Sequence, residues 1–270
     1  DPGSSQFYLS TEDDLMRIFG SARIRGLMDA FKIPEDTPIE AKMVTKSLAA
    51  AQRKVEGHNF DQRKHLVEYD DVANKHREVI YRKRRETLTK GSLRDDILKL
   101  VENEVSAVVT FHTASSDENS WNLQEIYEVV HTIFPLPPQE RKTFEDFRRT
   151  AGDKLADATA RTKLIEHLMA VAKGAYDNLE QQATAALGQP DAMRTIERAV
   201  MLRAIDTLWM EHLDAMDHLR TGIGLRGYGQ RDPLVEYKNE GYRMFTELMN
   251  LIGKQVVYGI YKVGGVQTIA

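Results

Sequence analysis

The feature that most constrains the fold is the stretch from residue 39 to residue 89, which contains no proline and only one glycine. Thr37-Pro38 supplies an N-cap and a first-turn proline, Glu40 can complete a capping box, and Lys90-Gly91 is a typical stop. These signals predict a single helix that ends at Thr89 and is about 75 Å long. Apolar residues recur along it at helical spacing, at Val44, Leu48, Ala51, Val55, Leu66, Tyr69, Val72, Ala73 and Ile80.

The rest of the chain also has mainly helical periodicity. Helical patterns cover residues 92–112, 121–134, 139–149, 153–187, 191–219 and 233–262, with a capping box predicted at Ser92-Leu-Arg-Asp95 and a break at Gly188-Gln189-Pro190. The last two patterns have apolar stripes at Leu202, Ile205, Trp209, Leu213 and Met216, and at Phe245, Leu248, Ile252, Val256 and Ile260. A single short apolar run, Phe7-Tyr8-Leu9, is typical of a strand, and a lone strand cannot satisfy its own backbone groups. We therefore predict an all-α fold with one very long scaffold helix, a helical subdomain and a two-helix hairpin, preceded by a short orphan strand.

The tip of the predicted hairpin is rich in glycine. The sequence LRTGIGLRGYGQRDP, from Leu219 to Pro233, separates two long amphipathic stretches. Glycine is unfavourable in helices, so we expect the first helix to end at Leu219, and Asp232-Pro233 predicts the start of the second. The tip would then present the ring of Tyr228 among several arginines. Its glycines are Gly222, Gly224, Gly227 and Gly229.

A dinucleotide fingerprint in the same loop is better explained as a turn. Residues 222–227 match G-x-G-x-x-G, but that motif requires a preceding strand and a helix that opens directly from it. A helical pattern precedes the match, and the next helix begins only after Asp232. The chain also contains no phosphate-binding G-x-x-x-x-G-K-[ST] motif, no G-x-S-x-G motif and no cysteine nucleophile. We predict no catalytic residue and no cofactor site in this chain.

Composition narrows the possible classes of partner and site. The formal net charge of −4 gives no reason to expect nucleic acid binding. The absence of cysteine excludes disulfides and thiolate metal sites, and neither His58 with His65 nor His212 with His218 has the H-E-x-x-H spacing, so we predict no metal site. The chain starts at Asp1 without an initiator methionine, and we expect it to be part of a longer protein.

Three long strings together resemble the C-terminal half of the SecA family, the ATP-driven motors of the bacterial Sec preprotein translocase. They are DPGSSQFYLS followed by EDDLMRIFG, then AQRKVEGHNFDQRKHLVEYDDVANKHREVIYRKR, and MLRAIDTLWMEHLDAMDHLRTGIGLRGYGQRDPLVEYKNEGYRMF. The resemblance is long and specific over residues 1–90 and 195–263. Over residues 95–190 it depends only on position and helical pattern.

The resemblance implies a division of the chain into segments. Residues 1–20 would be the end of the second nucleotide-binding domain, residues 21–93 the long helix of the helical scaffold domain, and residues 94–190 the helical wing domain. Residues 191–263 would be the two-helix finger of the scaffold domain, and residues 264–270 would begin the C-terminal linker.

The resemblance also implies a function and partners. The finger would contact a preprotein and its signal peptide at the SecY channel, and the scaffold would restrain ATPase domains that lie upstream. ATP with Mg²⁺ would bind only in the full-length parent, which is an ATPase located in the cytoplasm and peripherally at the inner face of the bacterial plasma membrane. The implied polypeptide-contact residues are Tyr228, Leu225, Arg226 and Gln230, with Gly222, Gly224, Gly227 and Gly229 as hinge glycines.

Two alternatives stay open at this stage. The chain could be a stand-alone helical scaffold that binds other proteins without any motor role, although the orphan strand at residues 7–9 argues against this class. Tyr228 could also fold back onto the hairpin as an apolar staple instead of contacting a polypeptide.

Overall fold

The computed structural model describes residues 2–4, 10, 13, 42–114, 121–146, 154–226 and 232–263. The predicted strand at residues 7–9 and the predicted helix start at Thr37-Pro38 lie outside this part. Every regular element in the described part is an α-helix, which confirms the all-α prediction. The helices are α1 (Lys42–Thr89), α2 (Arg94–His112), α3 (Leu123–Ile133), α4 (Glu140–Asp146), α5 (Lys154–Leu187), α6 (Ala192–Arg226) and α7 (Pro233–Ile260).

The long helix α1 ends at Thr89, as predicted, and it continues without a break through Gly57. The chain divides into two compact units, Asp1–Asp71 and Val72–Ala270. In the described part of the first unit, the helix is mostly exposed and makes local side-chain bonds. Gln52 donates to Glu56 at 2.9 Å, and the Gln62 amide lies 3.0 Å from the His58 ring.

The second unit has one apolar core, to which all seven helices contribute. The helices α6 and α7 form an antiparallel hairpin, because Met216 lies against Gly241 and Val200 lies against Gly259. The helix α2 packs against α3, α5 and α7, and α5 also packs against α6. The fully buried side chains include Ile80, Ile97, Ile126, Leu164, Leu168, Tyr176, Met193, Ile205, Ile252 and Ile260.

The start of α2 differs from the prediction of a Ser92 capping box. The N-cap residue is Leu93, and no side chain of that residue caps the helix. The Leu93 N–H instead donates to a carboxylate oxygen of Glu197, 2.9 Å away in α6, and the Ser92 hydroxyl accepts a bond from Arg194. The Ser92 hydroxyl also accepts from the Arg94 N–H at 3.3 Å, so a local bond and tertiary bonds together hold the start of α2. At α3 the cap is local, since the Asn122 side chain accepts from the Glu125 N–H at 3.1 Å.

The break between α5 and α6 confirms the prediction at Gly188-Gln189-Pro190. Gly188 has a φ of +64°, a left-handed conformation that glycine adopts readily after a helix. Its N–H donates to the Thr184 carbonyl at 2.9 Å, which satisfies one of the last carbonyls of α5. Within the described ranges, none of the helices combines the length and apolar character that crossing a bilayer requires.

Candidate functional site: the helical hairpin and its base

The hairpin is held together by an apolar seam. Trp209 is 7% exposed, and Ile205 and Met216 are buried on the same face of α6. The facing seam of α7 contains Leu248, Ile252 and Val256, all buried. These residues match the two predicted stripes, because the spacing of three and four residues places them on one face of each helix.

The predicted end of α6 at Leu219 is wrong. The helix continues through Gly222 and Gly224 to Arg226. Leu219 and Ile223 are both buried, and the Thr221 hydroxyl donates to the Asp217 and His218 carbonyls. Burial of two large apolar side chains outweighs the helix penalty of glycine, which is about 1 kcal/mol per residue.

The predicted contact residues lie at or beyond the end of the described helix. Gly224, Leu225 and Arg226 form the last turn of α6, and their side chains lie outside the described part. Tyr228 and Gln230, with Gly227 and Gly229, also lie outside it. The fingertip assignment of these residues therefore stays a prediction.

The second helix of the hairpin starts as predicted. The Asp232 side chain accepts from the Leu234 N–H at 2.8 Å, and Pro233 occupies the first turn. Proline is tolerated there because its missing N–H would have no partner within the helix. This start fixes the point at which the chain returns from the tip along α7.

The hairpin packs on the C-terminal part of α1 at a close crossing near Gly241. A Cβ atom at Gly241 would lie 3.2 Å from both Met216 Cε and Val72 Cγ1. The absence of a side chain therefore allows the three helices to approach closely at this point. A surface ion pair also joins α1 to α6: Arg84 Nε lies 3.0 Å from Asp206 Oδ1.

Two buried histidines lie beside this crossing. His76 Nδ1 and His212 Nε2 are 3.2 Å apart, and the His76 ring stacks on Phe245 with 4.3 Å between the ring centroids. Burial, with a smaller contribution from the neighbouring His212, lowers the pKa of His76 to about 4, and burial also lowers the pKa of His212. Sequence analysis missed His76, although it lies four residues from both Val72 and Ile80 and so belongs to the predicted apolar stripe.

The base of α6 holds a buried polar cluster centred on Glu197, which is 0% exposed. Its carboxylate accepts bonds from the Tyr176 hydroxyl at 2.5 Å and the Leu93 N–H at 2.9 Å, and it pairs with Arg194 at 2.7 Å. Burial and, next, the bond to Glu197 raise the pKa of Tyr176, so its hydroxyl keeps the proton that it donates. Sequence reasoning also missed this cluster, because its members come from three distant segments.

The described residues contain no group of three or more histidine, aspartate or glutamate side chains that could hold a metal ion. The first turns of α6 are bonded through Glu197 to Leu93, and α1 contacts both hairpin helices in the region of Val72 and His76.

Comparisons with known proteins agree with one another. The family model for the SecA wing and scaffold domain matches residues 38–264, and that for the SecA P-loop domain matches residues 1–36. The chain is 48% identical to the protein translocase subunit SecA of Pelotomaculum thermopropionicum over 99% of its own length, and 45% identical to that of Carboxydothermus hydrogenoformans over 95%. It spans 28% of the length of each of these two relatives.

Proposed function

This chain belongs to the SecA family, and we propose that it is the scaffold, wing and finger portion of a translocase for Sec-dependent protein export. In this proposal the hairpin moves preprotein through the SecY channel, and α1 couples that movement to an ATPase elsewhere in the full-length protein. The observation that carries the proposal is the hairpin of α6 and α7, which is anchored at its base by Glu197 and braced by α1.

We propose the domain division that the sequence predicts. Residues 1–20 would complete the second nucleotide-binding domain, residues 21–93 would be the long scaffold helix, and residues 94–190 the wing. Residues 191–263 would be the finger, and residues 264–270 would begin a linker. ATP and Mg²⁺ would bind upstream in the full-length protein, which would act in the cytoplasm and peripherally at the inner face of the plasma membrane.

A hairpin of this kind suits a task that requires contact without sequence recognition. The helix α6 has 35 residues, so its axis is about 50 Å long. A helix pair with a buried seam moves as a unit, so a displacement at its base reaches its tip. Tyrosine at the tip would offer a broad apolar face and one hydroxyl at a low cost in conformational entropy, which fits contact with a preprotein or signal peptide of any sequence.

The test uses a full-length translocase subunit that carries this segment. We expect Tyr228→Ala to reduce preprotein transport into SecY-containing vesicles while thermal unfolding and basal ATPase stay nearly unchanged. Tyr228→Trp should retain most of the transport, because the proposed contact is the face of an aromatic ring. Tyr242→Ala is the matched control, since Tyr242 is a tyrosine of the same hairpin that is 73% exposed and lies nine positions after the start of α7.

Two outcomes would contradict the proposal. If Tyr228→Ala lowered the melting temperature and transport together, Tyr228 would be an apolar staple of the hairpin. If Tyr228→Ala and Tyr242→Ala left transport equally intact, the tip would have no role in moving the preprotein, and a scaffold without a motor role would be the better description.

A further inference from the structure

The base of the finger contains a carboxylate that has no access to solvent. Glu197 lies in the second turn of α6, and both of its carboxylate oxygens accept hydrogen bonds. Oε1 accepts from the Tyr176 hydroxyl of α5 and forms an ion pair with Arg194, and Oε2 accepts from the Leu93 N–H that precedes α2. A buried carboxylate without partners is very unfavourable, so these bonds must be kept in any conformation that keeps Glu197 buried.

A second layer of charged contacts joins the same three segments. Arg194 also reaches Ser92 and Glu180. Arg94 pairs with Asp177 of α5 at 2.5 Å, and its guanidinium lies 5.7 Å from the centroid of the Tyr176 ring.

The backbone of the turn after α1 is held by α6 as well. Arg198 donates to the carbonyls of Lys90 and Gly91, each at 3.4 Å. Three segments therefore meet around Glu197: the turn at residues 90–94, the part of α5 near Tyr176 and the first turns of α6.

We infer that Glu197 is a positioning residue that fixes finger helix α6, wing helix α5 and the turn after scaffold helix α1 in one register. Hydrophobic attraction is non-directional, whereas hydrogen bonds are directional and weaken steeply when they are misaligned. A shift of α6 along α5 would break the bond to Tyr176, and a shift away from the turn would break the bond to Leu93. Either shift would leave a buried charge with too few partners.

The second hairpin helix is tied to the same point. Tyr261, which follows α7, packs edge-on against Tyr176 with 6.1 Å between the ring centroids, and its hydroxyl donates to the Ala172 carbonyl at 3.2 Å. Both ends of the hairpin base thus contact the segment of α5 that bonds to Glu197. The register that Glu197 fixes does not depend on the proposed function, but the consequence of that register for transport rests on it.

The first test measures register in the chain itself. The chain contains no cysteine, so spin labels can be attached at Lys173→Cys on α5 and Glu211→Cys on α6, two exposed positions outside the cluster. Glu197→Gln keeps the size of the side chain but supplies one acceptor oxygen in place of two, so either Leu93 or Arg194 loses its acceptor. We expect a distance distribution about twice as wide, and exchange of the Leu93 amide proton about tenfold faster or more.

A control separates loss of register from loss of stability. Ile252→Val removes one methyl group from a fully buried position in the hairpin, and denaturant can be added until its stability matches that of Glu197→Gln. We expect the control to keep the narrow distance distribution and the slow Leu93 exchange. If Glu197→Gln changed neither quantity more than Ile252→Val does, the inference would be overturned.

Tyr176→Phe keeps the test decisive if Glu197→Gln does not fold. It removes one bond to Glu197 and leaves the bonds from Leu93 and Arg194 in place, so a smaller broadening in the same direction is expected. An unchanged distance distribution in Tyr176→Phe would overturn the inference in that case.

The second test uses the full-length translocase subunit. If the hairpin transmits motion from the ATPase, Glu197→Gln should lower the amount of preprotein transported per ATP hydrolysed while basal ATPase is retained. A broadened distance distribution together with unchanged transport per ATP would confirm that Glu197 fixes the register and would contradict the proposed route of coupling. Failure of the inference and failure of the proposed function therefore give different results.

Discussion

Nε2 of His212 lies 3.2 Å from Nδ1 of His76, although the two residues are 136 positions apart in the chain. One ring must donate and the other accept, so the accepting ring is neutral. Burial lowers the pKa of both rings, which favours the neutral form of the donor as well. Trp209 stacks on His212 with 5.6 Å between the ring centroids, and Phe245 stacks on His76 with 4.3 Å between the centroids, so aromatic rings flank the pair. The contact joins α1 to α6 in the region where α7 also packs.

The histidine pair should make the chain less stable in mild acid. The pKa of His76 falls from 6.5 to about 4 on folding, and that of His212 is also lowered, so the folded state binds fewer protons than the unfolded state. Stability should therefore be constant above pH 7 and decrease as the pH falls through 6.5 towards 4. We expect a loss of about 1–2 kcal/mol between pH 7 and pH 5, measured by urea unfolding.

His76→Gln is the variant that tests this assignment, and His218→Gln is the matched control, since the His218 ring is exposed on the same helix as His212. Neither buried ring pairs with a carboxylate among the described residues. The charged residues next to the two histidines and to Gly241 in the sequence occupy exposed or half-exposed positions; they are Lys75, Arg77, Glu211 and Glu240. An equally steep loss of stability in His76→Gln and the wild type would contradict the role of the pair.

Trp209 should be the largest single contributor to the stability of the hairpin seam. The side chain is 7% exposed and packs on the His212 ring. We expect Trp209→Ala to reduce the free energy of unfolding by about 3–5 kcal/mol. Met210→Ala, at the next position but 61% exposed, should change it by less than about 0.5 kcal/mol. Equal effects in urea unfolding would show that the seam is assigned to the wrong face.

The sequence was sufficient wherever local interactions decide the structure. Lys90-Gly91 marks the end of α1 at Thr89, and Asp232-Pro233 marks the start of α7, because caps and stops depend on residues within one turn. The hairpin stripes were also predictable, since 3.6-residue periodicity reports which face is buried. Membership of the SecA family followed from long strings of residues at the two ends of the chain.

The errors and omissions occur where distant segments compensate for weak local signals. Gly222 and Gly224 predicted a helix end at Leu219, but burial of Ile223 favours continuation to Arg226. Ser92 predicted a capping box, but its hydroxyl accepts from the Arg94 N–H and from Arg194, and Glu197, 104 positions away, accepts from the Leu93 N–H. Neither this bond nor the pairing of His76 with His212 could be read from one sequence, because no local pattern specifies a partner more than a hundred residues away.

The chain by itself should not bind ATP. It contains no G-x-x-x-x-G-K-[ST] motif, the loop whose backbone N–H groups surround nucleotide phosphates. Titration calorimetry with Mg²⁺ and ATP should give no saturable heat with this chain, and a full-length translocase subunit serves as the positive control. Saturable binding at micromolar ATP would contradict the assignment of nucleotide chemistry to the rest of the full-length protein.

Two glycines of the hairpin should respond in opposite directions to replacement by alanine. A Cβ at Gly241 would lie 3.2 Å from Met216 Cε and from Val72 Cγ1, and the β-branched Val72 cannot move away easily. We expect Gly241→Ala to destabilise the chain by about 1 kcal/mol, because this clash exceeds the gain in helix propensity. At Gly222, also inside a helix, a Cβ would meet no atom within 4 Å.

Gly222→Ala should therefore stabilise the chain by about 0.5–1 kcal/mol, the amount by which alanine exceeds glycine in an open helical position. Urea unfolding of the two variants under the same conditions measures both effects. Stabilisation by Gly241→Ala would show that the three helices at the crossing can separate without cost. Destabilisation by Gly222→Ala would show that the helix is not the preferred conformation there, and would favour the predicted role of Gly222 as a hinge.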